Sequence, residues 1–237
     1  MAEWQALMDP ATDFAVAGLK LHWWQEEIRR WADGHALHPI TRFLAPFAAS
    51  RATDVRPLAR CIDAAAAQVA GAPLEHAAEL SSHADALYGI PLAIAASLAG
   101  TPGDRSDVRL SLAALGAAEY LARAIAGFAG EARAGRTAFA VDELLAAGIE
   151  NADFLAPEPP PRLANYLHRL RRDAHRHYAS AGAALGADVR PALRHVLVLA
   201  ALGDNHLRAG TLPQGADFRL ADLYNAWTAA RRAAAAR

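Results

Sequence analysis

The sequence predicts an all-α protein. Apolar residues recur at helical spacing from about residue 13 to about residue 234, and no stretch alternates apolar and polar residues as a half-buried strand would. Glycine and proline punctuate the intervals between the amphipathic stretches, as expected for helices joined by short corners.

Taken in order, helices are expected at about 13–32, 40–49, 54–70, 74–99, 105–131, 141–147, 161–184, 189–208 and 218–234. Gly34 closes the first, Gly71 with Pro73 the third, Gly100 with Pro102 and Gly103 the fourth, and Gly135 the fifth. The run PEPPPR from Pro157 to Arg162 has core-forming helices on both sides and reads as a corner within one domain rather than a linker. Gly186 and the run GTLPQG, from Gly210 to Gly215, separate the last three helices. Asp54, Asp104 and Asp188 are suited to cap the helices that follow them, and the terminal RRAAAAR reads as a fraying helix end.

At 237 residues, with 54% hydrophobic and 21% charged residues, the chain is long and apolar enough to bury a core as one domain, residues 1–237. A net charge of −1 gives no general attraction to nucleic acid or anionic lipid, so no nucleic-acid partner is expected; local basic clusters and peripheral membrane contact stay open. The single Cys61 excludes an internal disulfide and fits a reducing, cytoplasmic setting. MAEWQALMDP has neither the basic nor the apolar region of a signal peptide. Apolar stretches such as HVLVLAALG, from His195 to Gly203, are too short to span a bilayer, and no transmembrane segment is expected.

The first helix carries LKLHWWQEEIRRW, with three of the five tryptophans. Adjacent helical residues point about 100° apart, so Trp23 and Trp24 face different surroundings. Ala17, Leu21, Trp24, Ile28 and Trp31 follow 4-3-4-3 spacing and define the core stripe. Trp23 falls off it, between Lys20 and Glu27 at helical spacing. It is expected at a second helix contact or at the rim of a cavity.

LKLHWWQEEIRRWADGHALHPI resembles the Trp-Trp helix of the squalene/phytoene synthase-like family, in which Leu-x-Trp-Trp precedes a glycine and a His-Pro helix start. HADALYGIPLAIAASLAG is similar to that family's central kinked helix, with His83 where a tyrosine is usual. LGAAEYLARAIAGFAGEARAGRTAFAVDELLAAGI resembles the segment that carries the second aspartate-rich motif, and RLRRDAHRHYASAGAAL and LADLYNAWTAARRAA resemble the two closing helices. The resemblance covers about residues 14 to 233. It implies a helical bundle of the isoprenoid synthase type, N-terminally short for the family, and a terpenoid or lipid ligand.

In that family, prenyl transfer ionises an allylic diphosphate, and Mg²⁺ ions held by carboxylates on two facing helices neutralise the leaving group. Matching Gly116 and Gly135-Arg136 without a gap puts Arg123 where the motif's asparagine stands and Gly127 where its central aspartate stands. Gly130 and Glu131 fall on the following acidic pair, so Glu131 is the surviving carboxylate. The first motif belongs upstream of the Trp-Trp helix, where this chain has few residues. Asp9 and Asp13 are four apart there, but Pro10 pushes Asp9 out of helical conformation, leaving Asp13 or Thr12 to cap the helix.

Two histidine groups also bear on function. His76, Leu80, His83 and Leu87 share one helical face, with Glu75 and Glu79 alongside; cavity-facing or core histidines suit this pattern better than zinc, which lacks further ligands. HRLRRDAHRHY, from His168 to Tyr178, carries a core stripe of Leu163, Leu167, Leu170 and Ala174. Its outer face is basic, suited to solvent, a diphosphate, an acidic headgroup or an acidic partner. Glu119 and Arg123 form an i, i+4 pair in the favourable orientation.

The resemblance thus implies a catalytically degenerate protein that keeps an apolar cavity for a prenyl or lipid ligand, or that acts with a protein partner, as a non-enzymatic branch of the family does in respiratory complex I assembly. No catalytic or metal-binding residue and no cofactor is expected on this reading. Trp23, His76, His83, Glu119, Arg123, Glu131 and Arg136 are the candidate ligand-binding residues. The alternative is an active prenyltransferase condensing isoprenoid diphosphates, and only that reading requires Mg²⁺.

Overall fold

The first helix begins at Asp13, whose carboxylate accepts a hydrogen bond from Val16 N at 3.0 Å. It runs from Phe14 to Ala32 (α1) in the computed structural model, which describes residues 7–8, 13–101, 105–209 and 220–235. The expected roles of Asp9, Pro10, Thr12, Pro102, Gly103, Asp104 and the Gly210–Gly215 run lie outside those residues. All five residues of the expected core stripe are buried, and so is Glu27. Trp24 retains 8% of its exposure and Trp23 41%. Gly34, with φ +83, supplies the left-handed turn that ends the helix.

Glu27 fixes the angle to the next helix, α2 (Pro39–Ser50). Its Oε1 accepts from the backbone N–H of Leu37 and His38, both at 2.8 Å, and from the Thr41 hydroxyl; its Oε2 accepts from Arg30 Nε at 3.1 Å. Burial alone would raise this carboxyl's pKa, but the donors from Thr41, His38, Leu37 and Arg30 outweigh it and leave the group below its ordinary value. The Trp23 ring meets the His38 ring edge-on at 5.7 Å, so its second surface is the start of α2.

Asp54 does not cap α3 (Leu58–Val69). Its side chain accepts from Arg56 N at 3.1 Å in a local turn, and the helix starts later. The expected segment 74–99 is three pieces: α4 (Ala77–Ala84), a π-helical turn (Asp85–Gly89) and α5 (Ile90–Leu98). Pro91 explains the break. It has no N–H to offer the Leu87 carbonyl one helical turn back, and that carbonyl instead accepts from the Cys61 thiol at 3.7 Å, while Ile90 N reaches Asp85 O in the wider π spacing.

α6 (Ser106–Arg133) is the central helix. α7 (Val141–Ala146), α8 (Asn151–Leu155), α9 (Pro161–Ala183), α10 (Arg194–Ala209) and α11 (Leu220–Ala235) follow. The short α8 has no counterpart among the predicted segments; a reciprocal cap between Glu150 and Asp153 holds it. Asp188 is paired with Arg105 rather than capping, and α10 begins only after Pro191. Among the described residues there is no strand, only a single parallel bridge between Leu74 and Ala140.

By length and composition α6 could cross a membrane, but half of its most apolar window is buried inside the bundle. It packs chiefly on α9 and on the π turn. A Cβ on Gly116 would lie 2.6 Å from Gly89 N and 2.9 Å from Gly89 Cα, so two backbones touch where only glycine fits.

Two stability predictions follow from this packing. Trp24→Ala should cost about 3–5 kcal/mol in urea denaturation, and Trp23→Ala clearly less; equal costs would refute the placement of the two rings. Gly116→Ala should cost about 3 kcal/mol, because the clash is with backbone that cannot rotate away. A neutral result would show that the helices separate freely there.

Candidate functional site

Glu119, Arg123, Gly127 and Glu131 stand four apart along α6, the last three at the positions where the family resemblance puts the aspartate-rich motif. Arg123 Nε lies 3.7 Å from Glu119 Oε2, and its guanidinium sits 5.8 Å from the centre of the buried Tyr88 ring. The arginine side chain keeps 47% of its exposure, so its charge faces an accessible space. Tyr178, on α9, donates its hydroxyl to Glu119 Oε1 at 3.1 Å. Gly203, on α10, makes room for this contact: a Cβ there would lie 2.3 Å from the Tyr178 hydroxyl and 2.9 Å from Glu119 Oε1.

Further polar pairs surround these groups. His206 Nε2 and Asp222 Oδ1 are 2.6 Å apart, joining α10 to α11, and His175 pairs with Asp204 between α9 and α10. Burial is the main reason that the Glu119 carboxyl is raised above its ordinary value; Arg123, Tyr178 and His206 act against it. Burial likewise pushes the Tyr88 hydroxyl up to about 12. His83 stands edge-on to the Tyr120 ring at 5.6 Å, with its pKa lowered by burial, and Tyr120 lies 6.4 Å from Tyr88.

The structure thus gathers Glu119 and Arg123 around Tyr88 and Tyr178, with His83 one ring further along. The other candidates lie apart. Glu131 is bound to Arg136 Nε at 2.8 Å, both side chains nearly buried, and Arg136 Nη2 also donates to Met8 O at 3.3 Å. His76 precedes α4 in extended backbone, so the expected shared face with His83 does not form; its exposed ring lies 3.5 Å from Asp142 Oδ2. Trp23 is at the α1–α2 junction. On the basic stretch of α9, two of the four arginines meet acids, Arg169 on Glu143 at 3.1 Å and Arg176 on Asp173.

Two clefts lie elsewhere. One, of about 420 Å³, has a floor of Leu80, Leu121 and Leu170; the other, of about 750 Å³, lies between the end of α1 and one flank of α2. None of the seven candidate residues lines either. Tyr178 and Gly203 were absent from the sequence-derived set. The stripe Leu163, Leu167, Leu170, Ala174 continues to Tyr178 at the next helical step, a usable signal; Gly203 in mid-helix gives none about its neighbour.

The described helices form an all-α bundle of the isoprenoid synthase type. Its architecture is similar to that of a dehydrosqualene synthase crystallised in complex with ligand, with a TM-score of 0.73, 13% identity, and 98% of this chain and 83% of that one covered. It is also similar to the squalene synthase HpnC from Alicyclobacillus acidocaldarius, with a TM-score of 0.68, 18% identity, and 84% of this chain and 74% of that one covered. A sequence search of curated proteins gives no significant match. The squalene/phytoene synthase family model matches residues 2–213, and the chain belongs to that family.

Folding raises the pKa of Glu119 above the ordinary 4.5, chiefly through burial, so its carboxyl holds a proton more readily in the folded than in the unfolded chain. Its contribution to stability is therefore complete below pH 4.5 and is lost as pH rises through the folded value. Glu119→Gln should flatten that part of the stability profile, measured by urea denaturation across weakly acidic to neutral pH. An unchanged slope would contradict the upward shift of this carboxyl.

Proposed function

We propose that this chain is a family member without Mg²⁺-dependent prenyl transfer, and that it binds an anionic isoprenoid or lipid directly through Arg123. The observation that carries this reading is the occupancy of the motif face. Mg²⁺ demands oxygen ligands in near-octahedral geometry. At the corresponding positions stand a guanidinium, a glycine without side-chain oxygen, and Glu131 bound to Arg136. These residues do not fit the metal.

Arg123 supplies a permanent cation where metal-bridged diphosphate would otherwise sit. Its pairing with Glu119 is long at 3.7 Å, and Glu119 is itself drawn toward its neutral form by burial, which leaves the guanidinium available to a phosphate or carboxylate. Tyr178 and Gly203 hold Glu119 beside it. The buried Tyr88 ring lies against the guanidinium, 5.8 Å from it, and helps to hold its charge in place. The likeness to a dehydrosqualene synthase and a squalene synthase supports an isoprenoid as the ligand class.

The test is a product assay with radiolabelled farnesyl diphosphate, NADPH and Mg²⁺. No squalene or presqualene diphosphate is expected. Product formation abolished by a chelator would overturn the reading and establish an active prenyltransferase.

A further inference from the structure

α1 and α2 turn an apolar stripe outward as well as inward. On α1, Val16, Leu19 and Trp23 lie on the side away from the core stripe; on α2, Ile40, Phe43 and Phe47 lie opposite the buried Thr41 and Ala48. Leu19 is 72% exposed and Phe43 69%, unusually high for residues of this size. The two stripes meet where the Trp23 ring touches the His38 ring, and Phe43 and Phe47 are in ring contact at 5.6 Å. The result is two exposed apolar stripes that adjoin at that contact.

Its charge is distinctive. Between Asp33 and Asp54 the chain has no acidic residue, although net charge over the whole chain is −1. Each stripe carries a guanidinium over its aromatic ring, Arg30 at 5.8 Å from the Trp23 ring centre and Arg51 at 5.7 Å from that of Phe47. Arg42 is exposed on the flank of α2. Aromatic rings with arginines beside them are suited to the boundary between headgroups and acyl chains, where the ring enters the apolar layer and the cation stays among phosphates. On α1 the acids Glu26 and Glu27 pair with Arg29 and Arg30, so the uncompensated positive charge of this face is that of Arg42 on α2 and Arg51 at its end; a protein partner's surface would match the apolar stripe, but that charge favours a surface of uniform negative charge.

We infer that the outer face of α1 and α2 docks on an anionic lipid bilayer, with Trp23, Phe43 and Phe47 entering the interface and Arg42 and Arg51 meeting lipid phosphates. This face is separate from the Arg123 cluster, and the inference stands whether or not that cluster binds a ligand. The face would hold the protein at the surface where apolar isoprenoids and lipids partition.

Vesicle flotation of the purified chain tests it. The chain should float with equimolar phosphatidylcholine and phosphatidylglycerol vesicles, float far less with phosphatidylcholine alone, and be released by raising salt. Phe43→Ser with Phe47→Ser should weaken binding by on the order of tenfold or more while leaving circular dichroism unchanged, because both side chains are exposed. Vesicle addition should shift tryptophan emission to the blue, and Trp23→Phe should remove much of that shift. Failure of the native chain to float, or equal binding by the double serine variant, would overturn the inference. So would a dimer in sedimentation velocity that the double variant dissociates, since the face would then belong to a second copy.

Discussion

The backbone contact between Gly116 and Gly89 sets the spacing on which the centre of the bundle depends. A side-chain carbon on Gly116 would fall within 3 Å of the π turn's backbone, so α6 and that turn can pack this closely only while Gly116 lacks a Cβ. The π turn itself follows from Pro91, which frees the Leu87 carbonyl for Cys61. The absence of a Cβ at Gly116 thus lets Tyr88 on the turn come beside Tyr120 and Arg123 on α6, where ring and cation–π contacts form. A second close approach, Gly203 against Tyr178 and Glu119, brings α10 to the same place.

Charge within this centre is arranged to satisfy itself. Glu119 has Tyr178 and Arg123, Glu131 has Arg136, His206 has Asp222, and His175 has Asp204. Such pairing keeps buried ionisable groups affordable in a low-dielectric interior, and it leaves Arg123 as the exposed member of the set. Under the proposed function, the cation of such a site is supplied by the chain. That is the opposite of a carboxylate face awaiting divalent metal, and it is why the proposed function turns on direct anion binding.

Much of the fold was legible because helical periodicity and glycine or proline corners are local signals. The α1 stripe from Ala17 to Trp31 and the α9 stripe from Leu163 to Ala174 are buried as their spacing requires. Family resemblance placed Arg123, Gly127 and Glu131 in one row on α6. Features set by distant partners were not legible. Glu27 looks like one of two surface glutamates until Leu37, His38 and Thr41 close over it. Asp188 resembles a helix cap until Arg105 claims it, and His76 resembles a helical residue until Asp142 receives it outside α4. Tyr178 and Gly203 become meaningful only once α9, α10 and α6 are assembled.

The central claim is that the motif face of α6 carries its own cation in place of a metal site. Isothermal calorimetry of the chain with farnesyl diphosphate, with and without Mg²⁺, tests it most directly, using Arg123→Gln as the comparison. The account predicts binding whose affinity does not depend on Mg²⁺ and is lost or sharply weakened in the variant. Binding that requires Mg²⁺, is abolished by chelator and persists in Arg123→Gln would contradict it.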